Sequence, residues 1–325
     1  MRKIPCLRFA NLPTPIEFLP QLTAKLRGPQ LMVKRDDETG LGLGGNKTRK
    51  LEFLLAEAQA HGAKTLITAG AAQSNHCRQT AAAAARYQFK CILVLTGSES
   101  EEVTGNLLLD RLFGAEIVWT DREHRDEKLQ ETFDRAWQDG DRPYLIPYGG
   151  SSPTGAAAYA FAMQEMLEQV GDRAPDWVVF ASSSGGTQAG LIVGQRLFGY
   201  SGKVLGISID ESREELSLQI ANLAERTMVL LGEDFPFSPQ DTLVNDDYCK
   251  AGYGVLGSQE IEAIKLFARL EGLLLDPVYT GRAAAGLIDL IRKGFFSPQE
   301  SILFWHTGGT PGLFAEKYSQ VVESD

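Results

Sequence analysis

Four short stretches of the sequence hold residue types able to do chemistry. The first is Gly40-Leu41-Gly42-Leu43-Gly44-Gly45-Asn46-Lys47-Thr48-Arg49-Lys50-Leu51. Gly40, Gly42 and Gly45 satisfy the spacing of a dinucleotide fingerprint, and the stretch comes close to a phosphate-binding P-loop. Context argues against both. The charged run Lys34-Arg35-Asp36-Asp37-Glu38 separates these glycines from the preceding apolar run, and Asn46 stands where a P-loop needs a glycine before its lysine. More telling is that Lys47, Arg49 and Lys50 crowd the start of a helix, where the macrodipole disfavours cations. A bound anion would compensate, and so would a lysine whose pKa is lowered by burial and by neighbouring cations. A lysine deprotonated near neutral pH is a nucleophile able to form a Schiff base. The plainer reading is an exposed lysine that snorkels to water.

The second stretch, Gly70-Ala71-Ala72-Gln73-Ser74-Asn75-His76, joins an apolar strand to an Ala-rich helix. Ser74 or Asn75 is a natural N-cap, and the same position sets hydroxyl, amide and imidazole groups at a strand's carboxyl end. His76 alone is too weak a signal to assign to catalysis. In the third, Ser182-Ser183-Ser184-Gly185-Gly186-Thr187, glycines let backbone N–H groups turn toward an anion at the start of a helix. The stretch has no lysine, so it suits a cofactor's monophosphate better than a nucleoside triphosphate; its plainer reading is a flexible turn. The fourth comprises Asp276-Pro277-Val278-Tyr279-Thr280-Gly281 and, further on, His306-Thr307-Gly308-Gly309. Thr280 can simply cap the helix that follows, yet Tyr279, Thr280 and Thr307 offer hydroxyls to one loop face. A candidate lysine, a lysine-free phosphate cup and converging hydroxyls together describe pyridoxal phosphate. Its phosphate needs the cup, its aldehyde the lysine, and its ring nitrogen a hydrogen-bonding partner.

The elements that must position these groups alternate along the chain. Strands are expected at Leu31–Val33, Thr65–Ala69, Cys91–Leu95, Glu116–Trp119, Tyr144–Pro147, Trp177–Ala181, Val204–Ile209 and Ser301–Trp305. Helical patterns include Thr48–Ala60, Thr80–Tyr87, Thr154–Val170, Gln188–Phe198 and Gln259–Leu270. This order argues for an α/β protein with doubly wound, parallel open sheets, whose ligands sit outside the carboxyl ends of the strands. Thr120–Gln138, rich in charge, reads as a solvated linker and helix face. Gly232–Asp247 is the longest irregular segment and a candidate mobile cover.

The whole chain is consistent with an enzyme. Its 325 residues suggest two compact domains or one large one, and 43% hydrophobic with 23% charged residues is an ordinary globular balance. With 42 Asp and Glu against 32 Lys and Arg, the net charge of −10 repels phosphate backbones and anionic lipids, so neither nucleic acid nor membrane is expected as a partner. Cys6, Cys77, Cys91 and Cys249 lie far apart with no C-x-x-C pair, which disfavours zinc and a disulfide framework. No metal is expected. No run is long enough to span a bilayer, and Pro5, Arg8 and Asn11 interrupt any signal-peptide core, so the expected place is the cytoplasm.

The run from Gly44 to Glu52, together with Gln73-Ser74-Asn75-His76, resembles the D-cysteine desulfhydrase and 1-aminocyclopropane-1-carboxylate (ACC) deaminase family. These are fold type II pyridoxal phosphate enzymes, similar to the tryptophan synthase β subunit. The likeness runs from Leu12-Pro13-Thr14-Pro15 through Asp247-Tyr248 and Gly252-Tyr253-Gly254-Val255 to His306-Thr307-Gly308-Gly309. It implies that Lys47, not Lys50, is the Schiff-base lysine. Asn75 would bond the cofactor's ring hydroxyl, and Ser184, Gly185, Gly186 and Thr187 would hold its phosphate. Ser74 would act beside the substrate carboxylate, with Asn75, His76, Tyr253 and Tyr279 on the substrate side and Tyr279 among the catalytic groups. The implied architecture is a large cofactor domain from residues 1–50 and 155–325 and a small inserted α/β domain at 51–154, usually in a homodimer.

Two positions separate the branches of this family. ACC deaminases have Glu after the Tyr of Asp-Pro-Val-Tyr and Leu after the His of His-x-Gly-Gly, whereas this sequence has Thr280 and Thr307, the desulfhydrase pattern. A carboxylate against the pyridine nitrogen keeps it protonated and strengthens the electron sink, while a threonine can donate to a neutral nitrogen instead. The weaker sink suits β-elimination of a good leaving group. The expected activity is conversion of a small amino acid, D-cysteine, to pyruvate, sulfide and ammonia, with Lys47 taking the Cα proton. ACC deamination and cysteate sulfo-lysis are the alternatives within the family. A nucleotide-binding protein using Gly40–Thr48, or a non-catalytic cofactor binder, are the alternatives outside it.

Overall fold

In a computed structural model, residues 2–99, 102–319 and 321 are described. The chain runs β1 (Ile16–Phe18), α1 (Pro20–Leu26), β2 (Gln30–Arg35), α2 (Asn46–Ala60), β3 (Thr65–Ala71), α3 (Asn75–Arg86), β4 (Lys90–Thr96), α4 (Gly105–Leu112), β5 (Glu116–Thr120), α5 (Arg125–Gln138) and β6 (Pro143–Leu145). It continues as α6 (Pro153–Val170), β7 (Trp177–Ser182), α7 (Gly186–Phe198), β8 (Lys203–Ser208), α8 (Arg213–Leu231), β9 (Leu243–Asn245), α9 (Ser258–Glu271), α10 (Thr280–Arg292) and β10 (Ser301–His306).

The strands form two sheets. One has the order β1-β2-β10-β7-β8-β9 and is parallel except for β1, which pairs antiparallel with β2 at the edge. The other, β5-β4-β3-β6, is wholly parallel. Parallel sheets covered on both faces call for strands apolar on both sides, as in Trp-Val-Val-Phe-Ala-Ser of β7. On one face of the larger sheet, Tyr159 and Met163 of α6, Leu191 of α7 and Ile220 of α8 pack with Trp305. On the other, Leu22 of α1, Phe267 of α9 and Leu287 of α10 pack with Phe304. The smaller sheet buries Leu51, Leu54 and Ala81 of α2 and α3 against Leu93 and Leu95, with Ala136 of α5 against Ile67 and Ile92 on its far side. Helices α6 and α7 approach so closely that a Cβ on Gly190 would strike the Ala156 carbonyl.

All eight expected strands are present, within a residue or two at most ends. The expected segments 1–50 with 155–325, and 51–154, separate the strands of the two sheets, but the boundary after residue 50 falls inside α2. That helix belongs to both halves: Phe53 stacks on Phe161 of α6 at 5.7 Å while Leu51 and Leu54 face the smaller sheet. The outermost positions of those segments, 1 and 325, lie outside the described residues. Gly232–Asp247 is not wholly irregular, because Leu243–Asn245 adds an edge strand to β8. At three residues it was too short to carry a periodic signal. Thr120–Gln138 does hold a helix with a solvated face, but its Thr132 and Ala136 are buried. Among the described residues, no helix is long and apolar enough to cross a membrane.

Candidate active site between the two sheets

Three strand ends meet at one cavity. β3 leads into α3 through Ser74, β7 leads into α7 through Ser183–Gly185, and β10 leads into Thr307-Gly308-Gly309. The cavity holds about 640 Å³ of empty space counted to its open mouth. Lys47, Ser74, Asn75, His76, Ser184, Gly185, Gly186, Thr187, Tyr279 and Thr307 line it.

Lys47 is the second residue of α2. This helix starts without an acidic cap because neighbours satisfy its first donors. The Asn46 N–H donates to the Thr307 carbonyl at 2.9 Å, and the Thr48 N–H and hydroxyl both donate to Gln79 Oε1, at 2.8 and 2.9 Å. The three cations of this turn are accommodated separately. Arg49 turns away and pairs with Asp36 and Glu165, each at 2.8 Å. Lys50 is buried with a single 3.2 Å bond to the Gly149 carbonyl, and burial followed by the nearby Lys47 charge pushes its pKa well down. Burial lowers the Lys47 ammonium from 10.5 to about 8, against the opposing pull of Asp276. At pH 7 roughly one Lys47 in ten is then the free amine. Among the described residues its Nζ makes no hydrogen bond, so the amine is left to the cavity.

The phosphate cup is built from backbone. Gly185 adopts a left-handed φ of 73°, which turns the chain into α7. Among the described residues, the N–H groups of Ser184, Gly185 and Thr187 have no protein acceptor, and the α7 dipole adds to their pull on an anion. A Cβ on Gly186 would strike Ser151, so side-chain-free backbone is required there. Thr187 Oγ1 accepts from Asn46 Nδ2 at 3.1 Å, which leaves its own hydrogen available. Asn106 Nδ2 donates to Asn75 Oδ1 at 3.0 Å and so presents the Asn75 amide N–H groups as donors. Unsatisfied donors in the cup, a free amine, an oriented amide and the unpaired Thr307 hydroxyl together fit pyridoxal phosphate.

His76 is buried, and burial pushes its pKa well below the usual range. The Thr68 hydroxyl donates to the Ile146 carbonyl at 2.9 Å, so the 3.0 Å contact to His76 must be donated by Nε2. The ring is thus neutral, with Nδ1 unpartnered. Tyr253 and Tyr279 share a 2.8 Å hydrogen bond between their hydroxyls, and burial raises the pKa of both. They are donors and acceptors at neutral pH, not bases. Tyr253 does not line the inner cavity itself; it faces an adjoining outer one and reaches the inner one through Tyr279.

Thr280 departs from expectation. It is fully buried and does not line the cavity. Its hydroxyl donates to Asp276 Oδ1 at 2.8 Å and accepts from the Asp276 N–H at 2.7 Å. The hydroxyl's single hydrogen is thus committed, leaving Thr307 as the threonine that faces a ligand. Asp276 in turn accepts the N–H groups of Val278, Tyr279 and Thr280. The sequence reading passed over Tyr148, which lines the cavity, and Gln79 and Asn106, which orient its residues. The Gly149-Gly150 turn directly after an expected strand was the available signal for Tyr148.

Comparison with known proteins agrees with this geometry. Residues 7–308 match the family described as pyridoxal-phosphate dependent enzyme. A solved ACC deaminase homologue is similar at 36% identity and a TM-score of 0.90, the match covering 99% of this chain and 96% of the other. A hydrogen sulfide-producing enzyme from Fusobacterium nucleatum, at 18% identity, has a TM-score of 0.66 with 95% and 97% covered. A fungal L-serine ammonia-lyase from Rhizomucor miehei, at 16% identity, has a TM-score of 0.68 with 96% and 98% covered. These two share the fold. On the family match and the 36% identical relative, the chain belongs to the pyridoxal-phosphate dependent enzymes of fold type II.

Proposed function

We propose that the protein is a β-eliminating lyase that converts D-cysteine and water to pyruvate, sulfide and ammonia. The observation that carries this reading is the composition of the inner cavity: among the described residues, no carboxylate lines it. Asp276, the nearby acid, has its oxygens taken up by three N–H groups and the Thr280 hydroxyl. Of the lining groups, the Thr307 hydroxyl would be the one to hold a pyridine nitrogen, and among the described residues no acid lines the cavity to keep that nitrogen protonated. A neutral ring is the weaker electron sink, which is sufficient where a thiolate carries charge away and poorly suited to opening a cyclopropane.

When bound, the cofactor supplies the sink conjugated to the substrate Cα. Lys47, with its lowered pKa and free amine, accepts the Cα proton. Ser74 Oγ accepts the Cys77 N–H at 3.2 Å, and its own hydrogen is free to hold the substrate carboxylate. Tyr279, fixed by Tyr253, offers a hydroxyl to the departing sulfur. The name of the 36% identical relative favours ACC deamination, and the absence of a lining acid weighs against it. Purified yellow protein is to be assayed in parallel with D-cysteine, L-cysteine, ACC and cysteate, scoring sulfide, pyruvate, 2-oxobutyrate and sulfite. Sulfide and pyruvate from D-cysteine are expected. 2-Oxobutyrate from ACC, or sulfite from cysteate, as the dominant product would overturn the reading.

A further inference from the structure

The outer cavity beside the active site has its own chemistry. Counted to its open mouth in the same way, it holds about 1080 Å³ of empty space, and it joins the inner cavity along Tyr148, Ser183 and Ser184. Arg122, in the segment before α5, and Arg125, at its start, stand on the side of the smaller sheet. Asp210 and Glu211, in the turn after β8, belong to the larger. Opposite charges so placed usually close into ion pairs. Here Arg122 acts electrostatically on both acids, yet among the described residues it makes no ion pair or hydrogen bond with either. Asp210 uses one oxygen to accept the Ser183 hydroxyl at 2.8 Å, and the Glu211 carboxylate has no partner among the described residues. Arg125 lies over the Tyr148 ring at 5.0 Å and donates from Nε to Asp126, which keeps its other nitrogens free.

A cysteine thiol needs none of this. A simple anionic tail, such as a sulfonate, would suit the arginines but face repulsion from Asp210 and Glu211. A tail carrying both charges satisfies both walls: a carboxylate against Arg122 and Arg125, an ammonium against Asp210 and Glu211. We propose that the outer cavity receives the distal head of a double-headed substrate, an amino acid whose β-carbon is joined through sulfur to a second α-amino acid. The proposal rests on the elimination reading above and names the substrate class of that site. For lanthionine the step balances as follows. The Cα–H and Cβ–S bonds break, the proton passes to Lys47, and the sulfur leaves with the electron pair as cysteine thiolate. The enamine left behind takes up water to give pyruvate and ammonia.

The test compares the holoenzyme on lanthionine stereoisomers, on S-propylcysteine, which has a similar thioether arm without the second head, on cysteate, and on β-chloroalanine. It uses wild type, Arg122→Ala and Glu211→Gln. Wild type is expected to favour lanthionine over S-propylcysteine by about tenfold or more in kcat/KM, the scale of a charge-assisted contact. Each variant is expected to remove most of that preference while leaving β-chloroalanine turnover within about twofold. Equal use of lanthionine and S-propylcysteine, preference for cysteate, or equal losses on every substrate would overturn the proposal. If β-chloroalanine itself yields no pyruvate, the elimination reading fails instead. Titration of the cofactor's visible band with lanthionine then still decides: half-saturation unchanged by Arg122→Ala overturns the outer-cavity assignment, and a weakened one supports it.

Discussion

Lys47 and Thr280 show how much a residue's surroundings decide its role. Both stand in motifs that bear on the same cofactor, but Lys47 has a free amine on a cavity while Thr280 has a committed hydroxyl beneath it. Replacing Lys47 by alanine should abolish the protein's visible cofactor band and lower turnover by about a thousandfold or more; a retained band would place the attachment elsewhere. Thr280→Val should act differently. It strands the Asp276 N–H and removes one donor from its carboxylate, so the apoprotein should lose about 1–3 kcal/mol in urea unfolding. Thr307→Val, whose hydroxyl makes no bond within the protein among the described residues, should leave that stability nearly unchanged and shift the cofactor's spectrum instead. Equal stability of the two variants would contradict the assignment. Ser74, Asn75 and the Ser184–Thr187 cup stood out in the sequence because they sit at strand-to-helix junctions, and Lys47 because it belongs to a run of cations at a helix start. The commitment of Thr280 was not, because it depends on how Asp276 folds back over the next four residues.

At the scale of elements, the site is held by buried polar links between helices. Arg49 ties α2 to Asp36, Glu165 and Thr14, with the Tyr159 hydroxyl completing the group at 2.6 Å from Asp36. Arg49→Met leaves Asp36 buried without its cation and should cost about 3–5 kcal/mol, measurable by denaturant unfolding. Sequence alone marked Arg49 as an electrostatic oddity at a helix start; the carboxylates that resolve it lie 13 and 116 positions away. A second buried link joins α3 to the loop before Lys47, through Arg78 and the carbonyls of Gly42 and Gly44. Near it lies Asp110 of α4, fully buried with both oxygens unpartnered. Burial raises its carboxyl from 3.8 to about 8, against the lowering influence of Arg78. The folded protein therefore keeps a proton that the unfolded chain gives up near 3.8. Stability from this group is complete below that value and is lost as pH rises through about 8. Asp110→Asn cannot ionise and should gain on wild type steadily between about pH 5 and 8.5 in urea midpoints. A constant difference across that range would show that Asp110 does not titrate there.

The molecule as a whole places the candidate cavity where two sheets present the carboxyl edges of their parallel strands to each other. Strand-helix alternation made both sheets legible, since buried parallel strands read as continuous apolar runs. The edge strands β1 and β9 were not, at three residues each, and neither was the sharing of α2 between the two halves. This shared helix puts Lys47 at the seam, with the cup on one side and Ser74 and Asn75 on the other. The account stands on that placement, and borohydride reduction of the holoprotein followed by peptide mass mapping tests it directly. The reduced cofactor is predicted on Lys47. Label on the neighbouring buried Lys50, or on any other lysine, would contradict the account at its centre.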